Sequence, residues 1–169
     1  MTSNLRELAL FNLAIDSKLR ACDLVRLRVN DIQSGNEVVA RTMIIQQKTH
    51  QSVQFEITHQ TRTSVQNWIS AANLKPDDYL FPSRVKQSFH LSTRQYARLV
   101  SKWIASIGLD PTTYGTHSMR RTKASLIYKR THNLRAVQLL LGHSKLESTV
   151  RYLGIEVDDA LEMSEKTEI

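Results

Sequence analysis

The sequence has little cysteine, which forms the disulfides of small secreted proteins, and little glycine and proline, which interrupt regular structure. It contains a single cysteine, Cys22, which cannot form an internal disulfide, and only five glycines and three prolines in 169 residues. These counts exclude a disulfide-stabilised scaffold and a low-complexity chain. No apolar run approaches the about 18–20 residues that a membrane span requires, and no signal-peptide pattern opens the chain. We therefore expect a globular protein of a reducing compartment, without a membrane partner.

The sequence also lacks the usual motifs of metal and nucleotide chemistry. Its histidines do not show metal-ligand spacing, its carboxylates do not cluster, and it has no glycine-rich phosphate loop. We therefore expect neither a metal ion nor a nucleotide cofactor to take part in its function.

Positive charge is concentrated in one part of the chain. Residues 79–155 hold thirteen Lys and Arg against two acidic residues, a net charge of +11. Residues 1–78 are nearly neutral, and residues 156–169 carry six acids and one lysine. A basic block in a foldable sequence is consistent with a polyanionic partner, because binding phosphates releases condensed counterions. A solvated basic surface is the alternative that charge alone leaves open.

The hydrophobic pattern predicts a single, mainly helical α+β domain over residues 1–169 with one small sheet. Residues 37–46 and 53–58 are strand-like, and the polar residues between them predict a hairpin. Helices are predicted over about residues 5–15, 21–28, 63–72, 93–107, 117–128 and 134–141, and a last one from a Ser144 cap to Tyr152. Tyr96, Leu99, Val100, Trp103 and Ile107 are predicted to face inward.

Two features in the first half of the chain carry candidate functional groups. Arg20 precedes Asp23 by three positions, so a shared helix face would let the carboxylate hold the guanidinium. Lys48 falls near the tip of the predicted hairpin. A surface ion pair and a solvated turn lysine are the simpler interpretations of these residues.

Two more features lie in the basic half. His117 and Arg120 share the first turn of a predicted helix, where paired donors favour an anion. Gly142 ends the preceding helix and His143 follows it, with Tyr152 about two and a half turns further on. A capping histidine, a surface arginine and a core tyrosine are the structural alternatives.

Taken together and in order, these residues resemble the tyrosine recombinases, the phage-integrase family of site-specific DNA strand exchangers. Residues 19–27 resemble the first-arginine box of that family, and Lys48-Thr49 its hairpin lysine. His117-Ser118-Met119-Arg120 resembles the His-x-Leu-Arg box, and Leu141-Gly142-His143 the Leu-Gly-His box. Tyr152 stands at the position of the nucleophile. One departure is Asp23, where the family more often has glutamate.

The resemblance implies a metal-independent enzyme with six catalytic residues. Arg20 and Arg120 would neutralise the phosphate, His117 would accept the tyrosine proton, and His143 would donate to the phosphate. Lys48 would protonate the departing 5′ oxygen, and Tyr152 would form a 3′-phosphotyrosyl intermediate. Asp23 would support Arg20. Outside the catalytic set, we assign Arg121, Lys123, Lys129 and Arg130 to contacts with the DNA backbone.

The expected partner is double-stranded DNA, bound by a homotetramer in the cytoplasm at the nucleoid, with DNA-bending proteins as accessory partners. The acidic residues 156–169 are a candidate arm for a neighbouring protomer, although packing on their own domain stays open. Family members usually carry an N-terminal helical domain, whereas this sequence opens on the first predicted helix of the catalytic domain. We therefore expect either a naturally short member or a fragment of a longer protein. The alternative functions are a non-catalytic DNA-binding regulator and a type IB topoisomerase.

Overall fold

The computed structural model describes residues 2–84, 88–155, 161 and 164–165, with the side chains of residues 2 and 3 left out. Within these residues the fold is α+β and mainly helical, as predicted. The elements are α1 (Thr2–Ser17), α2 (Ala21–Leu24), α3 (Val29–Ile32), β1 (Gln33–Ser34), β2 (Glu37–Val38), β3 (Arg41–Ile45), β4 (Ser52–Glu56), α4 (His59–Ala71), α5 (Thr93–Ser106), α6 (Thr116–Thr131), α7 (Leu134–Leu141) and α8 (Leu146–Leu153).

The main core forms around α1, which packs against α4, α6 and β4. Leu10 and Leu13 of α1 are fully buried in a cluster that also holds Phe55 of β4 and Val65 of α4. A second, smaller cluster joins α6, α7 and α8. The catalytic candidates of α6 and α8 therefore lie beside this second cluster, in which only Ala124, Val137 and Leu141 are buried.

The strands form two separate antiparallel pairs, β1–β2 and β3–β4, instead of the single small sheet predicted. The predicted strand over residues 37–46 is interrupted at residues 39 and 40, because its two halves pair with different partners. The Val39 N–H donates to the carbonyl of Ile32, whereas the carbonyl of Ala40 accepts from the Ile57 N–H. The β3–β4 hairpin runs in register from Arg41 opposite Glu56 to Ile45 opposite Ser52, which places Lys48 in its turn as predicted.

The helix predicted over residues 21–28 is shorter than expected and ends at Leu24. The chain beyond it bonds to a distant segment, because the Leu27 carbonyl accepts from Leu80 and the Val29 N–H donates to Asp78. These bonds draw residues 25–28 out of the helix, and α3 begins only at Val29.

Most helix ends lie within three residues of the predicted positions, although α1 begins at Thr2 and α6 continues to Thr131, each three residues beyond the prediction. Ser92 caps α5 through its hydroxyl, and Gly142 ends α7 with a φ of 64°, both as predicted. However, α4 begins at His59, four residues early, and α8 has Lys145 at its N-cap in place of Ser144. Ile107 is 69% exposed, because α5 ends at Ser106 and leaves it beyond the buried face.

Candidate active site

Arg120 lies at the centre of the candidate site. It follows His117 on the first turns of α6, and its side chain is buried, with only 4% of its surface exposed. Its Nε donates to the Lys18 carbonyl at 2.8 Å and its Nη2 to the Leu141 carbonyl at 2.7 Å. Burial lowers the pKa of Arg120, but a guanidinium keeps its charge at any working pH. The site therefore contains a fixed cation whose direction is set by two backbone carbonyls.

The carbonyl of Lys18 is itself held by an unusual local structure. Lys18 has a φ of 55°, a left-handed conformation uncommon for a residue with a side chain. Its buried Nζ donates to both oxygens of Glu56 at 2.9 and 3.0 Å and to the Asp16 carbonyl at 2.6 Å. These bonds fix the left-handed turn after α1, which keeps its carbonyl aimed at Arg120.

Arg20 approaches the same region from the loop before α2. Its Nη1 donates to Oε1 of Gln46 at 2.7 Å, and Nε2 of Gln46 donates to the Leu141 carbonyl at 3.2 Å. Because Arg120 donates to that carbonyl too, one hydrogen-bonded chain links the two arginines. The structure thus brings together two residues that lie one hundred positions apart in the sequence.

Asp23 does not hold Arg20 as we predicted. Arg20 is the N-cap of α2 and has extended dihedral angles, so the pair is not spaced along one helix face. Oδ1 of Asp23 accepts from the Gln47 N–H at 2.9 Å, and its buried Oδ2 has no hydrogen-bond partner within the described part of the chain. Asp23 therefore anchors the chain after β3, and supports the hairpin of Lys48 instead of the guanidinium.

Lys48 occupies the exposed turn of the β3–β4 hairpin. The turn is closed at its base, where the Gln46 N–H donates to Gln51 and the His50 N–H donates to Gln46. Among the residues that the structure describes, no hydrogen bond or ion pair holds the Lys48 ammonium. Lys48 is therefore carried at the end of a short hairpin, free to move towards a bound ligand.

His143 follows Gly142 in the turn between α7 and α8. Gln138 holds the backbone of this residue on both sides, since its carbonyl accepts from the His143 N–H and its Nε2 donates to the His143 carbonyl. The ring is partly buried, and its Nδ1 lies 3.1 Å from Oγ1 of the buried Thr149. Burial first, and then Arg120 and Arg20, lower the pKa of His143 to about 4. The ring is therefore neutral near pH 7.

Tyr152 reaches this group from the last turn of α8. Its ring centroid lies 5.5 Å from that of His143, in an edge-on arrangement, and 5.4 Å from Cζ of Arg120. The hydroxyl donates to the His117 carbonyl at 3.3 Å. Burial raises the pKa of Tyr152, and the positive charges of Arg120, Arg121 and Arg20 oppose that rise. His117 is thus brought to Tyr152 through its backbone, while its side chain is exposed.

Lys123, which we assigned to a DNA contact, pairs with two carboxylates in this structure. Its Nζ lies 2.7 Å from both an Asp16 and a Glu56 oxygen, and its side chain is only 22% exposed. Burial would lower the pKa of Lys123, but the two carboxylates raise it overall. This cation therefore belongs to the charge cluster behind Arg120, and its contact with DNA stays a prediction. The other three residues assigned to DNA, Arg121, Lys129 and Arg130, are exposed.

We expect Lys123→Met to lower the free energy of unfolding by about 2 kcal/mol, since the buried carboxylate of Asp16 and the partly buried one of Glu56 lose their shared cation. Hydrogen bonds lower the pKa of both Asp16 and Glu56 although burial opposes this, so their stabilisation exists above about pH 4 and is lost below it. Urea unfolding at pH 7 and pH 3 measures this, with the exposed Lys129→Met as control. Equal stability of both variants at pH 7 would contradict a structural role for Lys123.

Four residues near the site were not singled out from the sequence. Gln46, Gln138 and Thr149 are buried polar side chains that hold catalytic candidates, and Lys18 orients Arg120 through its backbone. Isolated glutamines and threonines have no distinctive spacing, so no sequence signal marks them. Within the described ranges, no group of three His, Cys, Asp or Glu is placed to hold a metal ion, and no helix is long and apolar enough to cross a membrane.

Two arginines, a histidine and a tyrosine thus meet on a mainly helical domain, with a lysine hairpin beside them, in an arrangement suited to a phosphodiester. The model of the phage integrase family matches residues 1–158, and the chain belongs to this family. Membership confirms the resemblance found from the sequence, and the recombinase or integrase class that it implied.

Individual relatives agree with this assignment. The chain is 30% identical over 158 residues to the "Probable integrase/recombinase YoeC" of Bacillus subtilis (strain 168). The alignment covers 94% of this chain and 82% of that protein. It is 32% identical over 152 residues to a tyrosine recombinase of Pseudothermotoga lettingae, covering 90% of this chain but 50% of that protein. The chain therefore spans most of the first relative and about half of the second.

Solved structures confirm the fold. A XerH site-specific recombinase bound to difH substrate, in a pre-cleavage complex, superposes with a TM-score of 0.76 at 20% identity, over 97% of this chain and 47% of that one. The XerA recombinase superposes with a TM-score of 0.77 at 17% identity, over 97% of this chain and 58% of that one.

Proposed function

We propose that this chain is the catalytic domain of a site-specific DNA recombinase that cuts and rejoins strands through Tyr152. The observation that carries the proposal is the position of the Tyr152 ring, 5.4 Å from Cζ of Arg120 and 5.5 Å from the ring of His143. A nucleophile thus lies beside a fixed cation and a neutral imidazole. Family membership supports the same chemistry, as does the concentration of positive charge in residues 79–155.

The two arginines provide the electrostatic part of the proposed reaction. A phosphodiester resists attack because its anionic oxygens repel a nucleophile, and the charge increases in the pentacoordinate transition state. Arg20 and Arg120 each use one or two N–H groups to hold their position, which leaves other N–H groups to donate to phosphate oxygens. Because both are held before a substrate arrives, little reorganisation is needed in the transition state.

The histidines have separate roles in the proposal. A neutral imidazole carries one proton, so a Thr149 hydroxyl that donates to Nδ1 of His143 places that proton on Nε2. His143 is then a neutral donor to the phosphate. Because burial raises the pKa of Tyr152, its hydroxyl needs a base. We assign this role to His117 from the family resemblance, and its backbone carbonyl already accepts from that hydroxyl.

In the cleavage step, the Tyr152 oxygen attacks phosphorus and gives its proton to His117. The bond from phosphorus to the 5′ oxygen breaks, and Lys48 supplies a proton to that oxygen. The product is a 3′-phosphotyrosyl bond and a free 5′ hydroxyl. Attack by the 5′ hydroxyl of another duplex reverses each step and releases Tyr152, so no external energy source is consumed.

DNA binding and assembly complete the proposal. Arg121, Lys129 and Arg130 are exposed cations on α6 that can bind the backbone without reading bases. Exchange between two duplexes involves four cuts, for which a homotetramer is the expected assembly. Of the acidic segment 156–169, only residues 161 and 164–165 are described, so the arm predicted there lies largely outside the described residues.

The test is a covalent adduct with DNA. We expect the protein, incubated with a pool of nicked duplexes of random sequence, to yield a species that survives denaturation. Mass spectrometry should place the nucleotide remnant on the peptide that contains Tyr152, and EDTA should not change the yield. The pool removes the need to know the target sequence in advance. DNA binding without any adduct would instead support a non-catalytic DNA-binding module, and an adduct on another tyrosine would refute the assignment of the nucleophile.

A further inference from the structure

Gln46 makes more contacts to the catalytic candidates than any role in the hairpin alone would require. It is 1% exposed and stands at the end of β3, directly before the turn that carries Lys48. Its Oε1 accepts from Nη1 of Arg20 at 2.7 Å and from Oγ1 of Thr49 at 2.8 Å. Its Nε2 donates to the Leu141 carbonyl at 3.2 Å. One amide therefore joins the first arginine, the lysine hairpin and the end of α7.

The turn after α7 is shaped to receive this side chain. Gly142 has a φ of 64°, and a Cβ at this position would lie 3.0 Å from Oε1 and 3.1 Å from Nε2 of Gln46. A larger residue would be strained by its backbone and would also press on the amide. The glycine of the Leu-Gly-His turn thus both ends the helix and admits Gln46.

The chemistry of the amide suits an arginine that must keep its charge. A carboxylate at this position would pair with Arg20 and offset the positive charge that a phosphate needs. It would also face the Leu141 carbonyl without a proton to donate. A neutral amide accepts from the guanidinium and donates to the carbonyl, so it fixes the direction of Arg20 without neutralising it.

We infer that Gln46 is a positioning residue, which holds Arg20 in line with Arg120 through the Leu141 carbonyl. This inference rests on the proposed strand-cleavage function. It predicts that Gln46 acts on the rate of cleavage through Arg20, and has little effect on DNA affinity.

A double-mutant cycle tests this inference. We expect Gln46→Met, which keeps the volume but removes all three hydrogen bonds, to slow single-turnover adduct formation by about 100-fold. DNA affinity should change little, as should the rate for Gln54→Met on the exposed face of β4. The variant with both Gln46→Met and Arg20→Met should be no slower than Arg20→Met alone, since the two residues act as one unit.

An isosteric variant extends the test and covers the case in which Gln46→Met does not fold. Gln46→Glu keeps the acceptor for Arg20 but adds a charge, and we expect it to be at least as slow as Gln46→Met. A parent-like rate for either variant, or multiplicative effects in the cycle, would overturn the inference. If the parent protein forms no adduct, the proposed function fails instead, so the two failures are distinguishable.

Discussion

Tyr152→Phe is expected to abolish the covalent adduct completely while the protein still folds and binds DNA. Phenylalanine keeps the ring that packs edge-on against His143 and lies beside the Arg120 guanidinium. The only bond removed is the 3.3 Å contact from the hydroxyl to the His117 carbonyl, which is long for an O–H donor. The variant therefore loses the proposed nucleophile and almost nothing else, and an adduct assay beside a DNA-binding assay measures both effects.

The matched control is Tyr128→Phe, which alters another partly buried tyrosine of the cluster that packs with α8. Its adduct yield should stay within about twofold of that of the parent, as is typical of substitutions that touch no reacting group. Residual adduct in Tyr152→Phe would mean that a different residue attacks the phosphate. Loss of DNA binding together with the adduct would mean that Tyr152 supports the fold or the binding surface.

Sequence reasoning located the helices well because their apolar spacing and end signals are local. Ser92 and Gly142 are examples, since a capping hydroxyl and a left-handed glycine act within a few residues. The interruption of the strand at residues 39 and 40 could not be predicted in this way. It arises because two residues far apart in the chain, Ile32 and Ile57, form backbone hydrogen bonds with different halves of one strand-like segment.

The candidate site shows the same division between local and distant causes. The six residues of the family motifs were identified from their order and spacing, but spacing does not reveal what each side chain contacts. The contacts that Asp23 and Lys123 make were not foreseen for that reason. The carboxylate of Asp23 is used by the Gln47 backbone, and the ammonium of Lys123 by Asp16 and Glu56, which converge on it only in the folded chain.

Buried neutral groups are the other part of the site that spacing does not reveal. Gln46 and Gln138 form hydrogen bonds to the backbone of residues 141–143, and Oγ1 of Thr149 lies 3.1 Å from Nδ1 of His143. None belongs to a charged or reactive residue type. They matter because they are buried and form hydrogen bonds to charged or reactive residues. Only the folded structure reveals those bonds.

Lys48→Met is expected to slow cleavage of ordinary DNA by about 1,000-fold, the size of effect typical of a lost general acid. The 5′ alkoxide is a poor leaving group, and in the described part of the chain Lys48 is the one proposed catalytic cation without a fixed partner. The test replaces the bridging 5′ oxygen by sulfur in the duplex that forms most adduct. A thiolate leaves without a proton, because thiols are far more acidic than alcohols, with a reference pKa of about 8.5.

With the sulfur substrate, Lys48→Met should therefore cleave within about tenfold of the parent, most of the general-acid effect having been removed. Arg120→Gln should stay slow on both substrates, because it acts on the phosphate oxygens and not on the leaving group. The exposed Lys75→Met, at a residue with no proposed role, should match the parent throughout. If sulfur fails to restore the Lys48 variant, the lysine binds the phosphate instead of protonating the 5′ oxygen. The hairpin would then move to place a third cation beside Arg20 and Arg120.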